Sequence, residues 1–357
     1  MKIGIVGYQD SGKSTLFHWL TDVEPDAAKA HQGQSAMAIV PDDRVAPLCE
    51  IYQPKKITQA ALELLDTPGL ARDHEGNPQR LALLREAGCL VVVVAAFDRT
   101  DPASDLLSFE EDLLLADLDI VSGRVERLRE SVKRPRPTQE AEQAELDALE
   151  PVLEQLEAGT ALCAIPLHDD GRRAISSFRL LTEKPRLVIL NTADDADNGE
   201  QLVRAVQDKT GAVQDKTGTA DVSNTTVRAI PVGLQSELAR MTGADRDEMV
   251  REMDLTVVDR DALLRQIMDA SSQMLFFTAG EKEVRTWMTR QGSTALEAAG
   301  AIHTDLARGF IRAETMQCAD LIRLGSEREI KAAGLVRQEP KDYVIQDGDI
   351  LNIKFSV

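Results

Sequence analysis

Gly7-Tyr8-Gln9-Asp10-Ser11-Gly12-Lys13-Ser14-Thr15 is the stretch on which the reading of this chain turns. It has the spacing G-x-x-x-x-G-K-S, it follows the apolar run Ile3-Gly4-Ile5-Val6, and it precedes Leu16-Phe17 and Trp19-Leu20, apolar pairs at helical spacing. Buried strand, Gly-rich loop and helix in that order predict a phosphate cradle. Gly7 and Gly12 let the backbone take conformations that a side chain would block, so that loop N–H groups from Asp10 to Thr15 turn inward. Lys13 would bring a point charge to the β and γ oxygens, Ser14 a hydroxyl to Mg²⁺, and the helix start a favourable dipole. The bland alternative is a Gly-rich turn with a chance lysine.

A second apolar run, Ala60-Ala61-Leu62-Glu63-Leu64-Leu65, ends in Asp66-Thr67-Pro68-Gly69. Alone, those four residues make an ordinary turn. After a phosphate loop they supply the other half of the site, Asp66 holding Mg²⁺ through water and the Gly69 N–H facing the terminal phosphate. Between the halves, Asp22 to Arg44 is polar, with His31-Gln32-Gly33-Gln34 in its middle, and reads either as a mobile nucleotide-sensing loop or as an exposed connection. Leu90 to Ala96 is too continuous to alternate and must be covered on both faces. Leu187 to Leu190 and Val227 to Val232 repeat the texture, which gives an α/β fold with a doubly wound, mostly parallel sheet and ligands at its carboxyl ends.

The 357 residues suggest two or three domains, and 43% hydrophobic with only 4% aromatic content an aliphatic core. With 41 basic against 60 acidic residues the net charge is −19, so any contact with RNA must rest on a local basic patch. Cys49, Cys89, Cys163 and Cys318 form no C-x-x-C pair and read as buried thiols. The N-terminus enters the first strand directly and no apolar run reaches membrane length, so no membrane partner is expected and the cytoplasm is the expected compartment.

Leu114, Leu118, Val121, Val125, Leu128 and Val132 recur at steps of four and three, the seam of a coiled coil. Pro135 and Pro137 break it, and Leu146, Leu149, Leu153 and Leu156 resume it on a Glu-rich segment. Two helices joined at the prolines predict an antiparallel arm about 30 Å long at about 1.5 Å per residue. Arg124, Arg127, Arg129, Lys133, Arg134 and Arg136 crowd its tip, either as a dock for RNA phosphates or as cations that complement a helix C-terminus. Ala205 to Gly211 is repeated as Ala212 to Gly218, a duplication to which no function is assigned. From Met274 the chain changes to β-like runs, Val284 to Trp287 and Phe310 to Ala313, around a helix-like Ala295 to Ile302. Asp342 to Ile353 reads as a closing hairpin with Asp347-Gly348 in its turn.

Loop, Asp-Thr-Pro-Gly, arm and terminal module, in this order, resemble the YchF/Obg-like ATPase family of P-loop proteins. The likeness covers nearly the whole length. It is most specific at Leu113-Leu114-Leu115-Ala116-Asp117-Leu118-Asp119 and at Phe277-Thr278-Ala279-Gly280-Glu281-Lys282-Glu283-Val284-Arg285-Thr286-Trp287, and it continues through Ala299 to Asp305, Gly309 to Ala313 and Glu339 to Val344. The resemblance implies a P-loop nucleotide-binding domain in two parts, 1–106 and 186–273, an inserted helical coiled-coil arm at 107–185, and a C-terminal ubiquitin-like β-grasp (TGS) domain at 274–357. It also implies ATP or GTP as ligand, Mg²⁺ as cofactor, and the ribosome or RNA as partner through the arm and the TGS-like module.

Three departures bear on chemistry. Asn191-Thr192-Ala193-Asp194 is neither the family's adenine-favouring segment nor Asn-Lys-x-Asp. Asn191 and Asp194 read as base contacts or as a polar strand end, and the Asp194 carboxylate suits the N1–H and N2 amino group of guanine while the family favours adenine. Leu70 stands where a glutamine would orient the attacking water, and a leucine cannot hydrogen-bond water. The family is thought to bring a histidine from elsewhere, but Asp98 to Asp105 holds none, which leaves His31 and His74. Asp10 replaces an asparagine linked to potassium in related proteins. The expectation is a Mg²⁺-dependent purine-nucleotide switch with slow hydrolysis, its loops near Ser35 and Gly69 answering to the nucleotide; the rival is a nucleotide-gated adaptor without turnover.

Overall fold

Strands are the fixed points of the computed structural model, which describes residues 1–26, 28, 32–97, 101–164, 167–194, 198–215 and 226–356. They run β1 (Lys2–Val6), β2 (Gln34–Ile39), β3 (Ile57–Thr58), β4 (Ala61–Asp66), β5 (Cys89–Ala96), β6 (Arg186–Thr192), β7 (Thr226–Ile230), β8 (Gln273–Ala279), β9 (Val284–Arg290), β10 (Phe310–Gln317), β11 (Arg337–Glu339) and β12 (Asp349–Phe355). The chain forms two compact units, Met1–Ala36 with Glu63–Val258 and Met37–Leu62 with Asp259–Val357.

In the first unit the sheet has the order β2-β4-β1-β5-β6-β7, with β1 parallel to β4 and β5, and β6 parallel to β5 and β7. β5 is buried from Cys89 to Val94 and β6 along its whole length, as expected of runs with no polar side. Ile5 stands opposite Asp66, so β1 and β4 end close to one level, whereas β6, whose Val188 is level with Val6 through Val92, runs on past them to Thr192. The expected α/β architecture is present. The polar stretch Asp22 to Arg44, however, contains β2, and Ser35 lies in that strand. Its burial alternates, but Met37 and Ile39 put apolar side chains on the exposed face, so the period of two does not show in the residue types.

The helix Pro102–Ser131 starts before the expected arm boundary. Asp101 caps it by accepting from the Ser104 N–H, and Pro102 supplies a preset φ at the first position. Its first half carries Ala103, Leu106, Phe109 and Leu113 into the core of the sheet. Beyond Asp117, Val121, Val125 and Leu128 pack against Leu146, Leu149, Val152, Leu153 and Leu156 of the helix Gln139–Glu157, with Leu114, Leu118 and Val132 at the margin. That second helix, 19 residues long, spans about 28 Å. Arg124 pairs with Glu145 at 2.6 Å and Arg129 with Glu150 at 3.0 Å across the seam.

The base of the arm is closed by Asp117, which is fully buried. Its Oδ1 accepts from Arg85 Nη1 at 2.7 Å and from the Leu181 N–H at 3.0 Å, and its Oδ2 from the Thr182 N–H at 2.7 Å and the Thr182 hydroxyl at 2.9 Å. One carboxylate thereby binds the outgoing helix to the chain that returns toward β6, which gives the family-like Ala116-Asp117-Leu118-Asp119 a structural reason.

In the second unit the sheet order is β11-β10-β12-β8-β9-β3. The hairpin β8–β9, the helix Ala295–Ile302 and then β10 to β12 follow one another, and β12 runs parallel beside β8. First and last strands as parallel neighbours, with a helix between, are the arrangement expected of a β-grasp module. Met37–Leu62 belongs to this unit: β3 pairs with β9, Arg44 pairs with Asp347 at 2.6 Å, and the Tyr52 hydroxyl donates to Glu327 at 2.9 Å. The closing hairpin expected at Asp342 to Ile353 does not form. Asp347-Gly348 is a turn, but β12 pairs with β10 and β8, and Val344 makes only an isolated bridge with Thr294.

Cys163 is exposed, unlike Cys89 and Cys318, so it is not the buried thiol expected. The helix Gly199–Asp215 contains the first copy of the tandem repeat, and the end of the second copy lies outside the described residues. So do His31 and Asp98. Among the described residues no helix is long and apolar enough to cross a membrane.

Candidate functional site

The loop after β1 turns through Gly7 at φ 143°, Asp10 at φ 61° and Gly12 at φ 96° and enters the helix Lys13–Thr21. Three left-handed residues in six are what bring consecutive N–H groups onto one concave side. Gly12 has a second constraint, since a Cβ there would run into the Asn191 amide. Asp10, Ser14 and Thr15 are exposed at the loop, while Ser11 is buried.

Lys13 is 6% exposed, and its Nζ donates to the Tyr8 carbonyl at 2.5 Å. Burial pushes its pKa down to about 8, against the opposing pull of Asp66 and Asp10. Asp66, at the end of β4, is pushed up from the usual carboxylate range, chiefly by burial, although Ser14 and Lys13 act the other way. Both departures are those of charges removed from water without a full set of partners. Ser14 Oγ donates to Asp66 Oδ2 at 2.7 Å, while Asp66 Oδ1 and Ser11 Oγ are buried and have no hydrogen-bond partner. A hydroxyl and a carboxylate side by side, with an unsatisfied oxygen between strand end and loop, fit a hard divalent cation bound partly through water.

The segment after Asp66 forms the opposite wall. The Leu70 N–H donates to the Gly7 carbonyl and the Gln9 N–H to the Leu70 carbonyl, both at 3.0 Å, which zips Gly69-Leu70 to the loop. The Leu70 side chain is buried in the apolar cluster with Tyr8. His74 is 68% exposed, and its Nδ1 lies 3.2 Å from Asp112 Oδ1.

Asn191 and Asp194 meet the same region from β6. Asn191 Nδ2 donates to the Ser11 carbonyl at 3.0 Å, and its Oδ1 accepts from the Val232 N–H at 3.1 Å. Asp194, exposed, accepts from the Leu234 N–H at 3.1 Å. Asn191 thus ties the phosphate loop to the start of the helix Val232–Arg240, and Asp194 is oriented by the same helix. The amides of Val232 and Leu234 escaped the sequence reading because backbone donors carry no residue-type signal. Asp112 escaped it too, although an acid beside Phe109 and Leu113 on an apolar helix face was the available sign.

Comparison with known proteins covers the same residues. A family model described as a 50S ribosome-binding GTPase matches residues 2–121, and the model of the YchF-GTPase C-terminal region, described as a protein of unknown function, matches residues 274–356. The chain is 33% identical over 377 residues to the ribosome-binding ATPase YchF of Escherichia coli O157:H7, an alignment that covers 100% of this chain and 99% of that protein. It is 34% identical over 374 residues to Obg-like ATPase 1 of Oryza sativa subsp. japonica, covering 100% and 92%. The structure of the Schizosaccharomyces pombe YchF GTPase superposes with a TM-score of 0.79 at 26% identity, covering 99% of this chain and 97% of that one. With phosphate loop, arm and terminal module all matched along its full length, the chain belongs to the YchF family of Obg-like ATPases.

Proposed function

We propose that this protein is a Mg²⁺-dependent switch that binds a purine nucleoside triphosphate, ATP or GTP, hydrolyses it slowly and acts at the ribosome. The observation that carries the proposal is the cluster of Lys13, Ser14, Asp66 and Gly69 beneath the inward-turned loop. In this reading Gly7, Asp10, Ser11, Gly12, Lys13, Ser14, Thr15 and Gly69 surround the phosphates, Ser14 and Asp66 hold the cation, and Asn191 and Asp194 face the base. Mg²⁺ held there would supply charge neutralisation for the phosphates. The ribosome as partner is supported by the names of the relatives, and the arm and TGS-like module are its proposed contacts. Calorimetric titration with Mg²⁺ and each nucleotide tests the site. Micromolar or tighter binding of ATP or GTP is expected, with Lys13→Ala at least about tenfold weaker from the loss of a charge-assisted contact. No affinity for any adenine or guanine nucleotide overturns the proposal.

One observation favours a second reading, a nucleotide-gated adaptor without turnover. Leu70 is buried at 1% exposure with its backbone locked to the loop, so neither part of it is available to a water. Phosphate release by the wild type and by Lys13→Ala separates the readings, and equal rates select the adaptor.

A further inference from the structure

Tyr8, the second residue of the phosphate loop, carries a side chain that turns away from the cradle and is buried. Its hydroxyl donates to Asp112 Oδ2 at 2.9 Å, its ring meets Phe109 edge-on at 5.7 Å between centroids, and the Arg72 guanidinium lies 4.6 Å above it. The carbonyl of the same residue accepts from Lys13 Nζ at 2.5 Å. Whatever fixes Tyr8 therefore fixes the acceptor that aims the lysine. Burial first, and then the bond to Asp112, push the phenol above its ordinary range and keep it a donor.

Asp112 has a second oxygen, and it serves the other wall. Oδ1 lies 3.2 Å from Nδ1 of His74, which sits at φ 63° in the segment that follows Gly69-Leu70. Arg72 fastens the same segment to the same helix through Asp105, at 2.6 and 2.7 Å. Asp105, Phe109 and Asp112 lie at steps of four and three, so one face of the helix Pro102–Ser131 holds both sides of the cradle.

We propose that Asp112 is a positioning residue for the phosphate site, holding the loop through Tyr8 and the segment after Gly69 through His74, and fixing both to the first arm helix. The proposal rests on the phosphate-site reading for its consequence, not for its geometry. If one carboxylate holds both walls, losing it loosens residues 7–12 and 69–77 together, and a rotation of the helix is felt at the nucleotide.

The test uses the full-length protein as wild type, Tyr8→Phe, Asp112→Ala, Asp112→Asn and Tyr8→Phe with Asp112→Ala. Amide hydrogen exchange without nucleotide is measured first. Faster exchange in both 7–12 and 69–77 in Asp112→Ala, with the arm seam beyond Asp117 unchanged, is the expected result. Change confined to one wall, in neither, or throughout the unit overturns the proposal. Affinity for Mg²⁺-nucleotide is measured next, with a loss of about tenfold expected in Asp112→Ala from removal of a hydrogen bond to a charged group. Asp112→Asn, which keeps the shape and an acceptor for Tyr8, should recover part of that loss, and the double variant should be no weaker than Asp112→Ala alone. Losses that multiply in the double variant, or full affinity in Asp112→Ala, overturn it. A wild type that binds no nucleotide defeats the phosphate-site reading instead, and the exchange data still decide whether Asp112 holds both walls.

Discussion

At Gly69 an added Cβ would stand 2.7 Å from both the Gln9 N and the Lys13 Nζ, closer than any methyl group can sit. The wall can approach the lysine only because that position has no side chain. Gly69→Ala must therefore push either the loop or Lys13 aside, and an overpacking cost of about 1–3 kcal/mol is expected in chemical denaturation, together with weakened nucleotide binding. Stability and affinity both equal to wild type would show that the wall yields freely. Glycine and lysine in the loop were legible in the sequence because spacing along one short stretch dictates what they do. The Tyr8–Asp112 bond was not, since its partners are 104 residues apart and a hydroxyl meeting a carboxylate leaves no period to read.

The arm is an element whose seam the periodicity revealed and whose anchorage it did not. Leu113, Val121 and Val125 share a helix face, and Asp117 occupies the turn between them, where an apolar residue would be expected. Replacing it by alanine leaves Arg85, 15% exposed, without its carboxylate and removes the acceptor of two backbone N–H groups. Asp117→Ala should cost about 3–5 kcal/mol, the range for breaking a buried ion pair from one side, read as a lowered urea midpoint. The cross-seam pairs are different. Arg124, Glu145, Arg129 and Glu150 are partly or largely exposed, and each pair contributes at most about 1 kcal/mol. Those pairings also revise the tip, because Arg124, Arg129 and Lys133 form ion pairs while, among the described residues, Arg127, Arg134 and Arg136 form none within 4.0 Å, Arg134 and Arg136 acting only at longer range on Glu130 and Glu142. If the tip docks RNA, Arg134→Glu with Arg136→Glu should abolish co-sedimentation with ribosomes, whereas Arg124→Ala should leave it intact. Unchanged co-sedimentation of the charge-reversed protein would remove the tip from the interface.

Over the whole molecule the chain passes between its two units three times, at 36/37, 62/63 and 258/259. Nothing in the residue pattern marks the first two passages, because Met37–Leu62 takes in the end of β2 and the start of β4, and only tertiary pairing assigns the rest of it elsewhere. A fragment beginning at Asp259 would lack β3 beside β9, Arg44 beside Asp347 and Tyr52 beside Glu327. Such a fragment should melt without a cooperative transition, and a synthetic peptide of residues 37–62 should restore one in circular dichroism. Cooperative melting of the fragment alone would show those partners to be dispensable. There is a consequence for biosynthesis. Val45 and Leu48, in the helix Val45–Tyr52, are made well before β9, Glu327 and Asp347, the strand and carboxylates that lock their segment in place. Until those residues emerge, the nascent chain must carry that short helix without the strand and carboxylates that hold it.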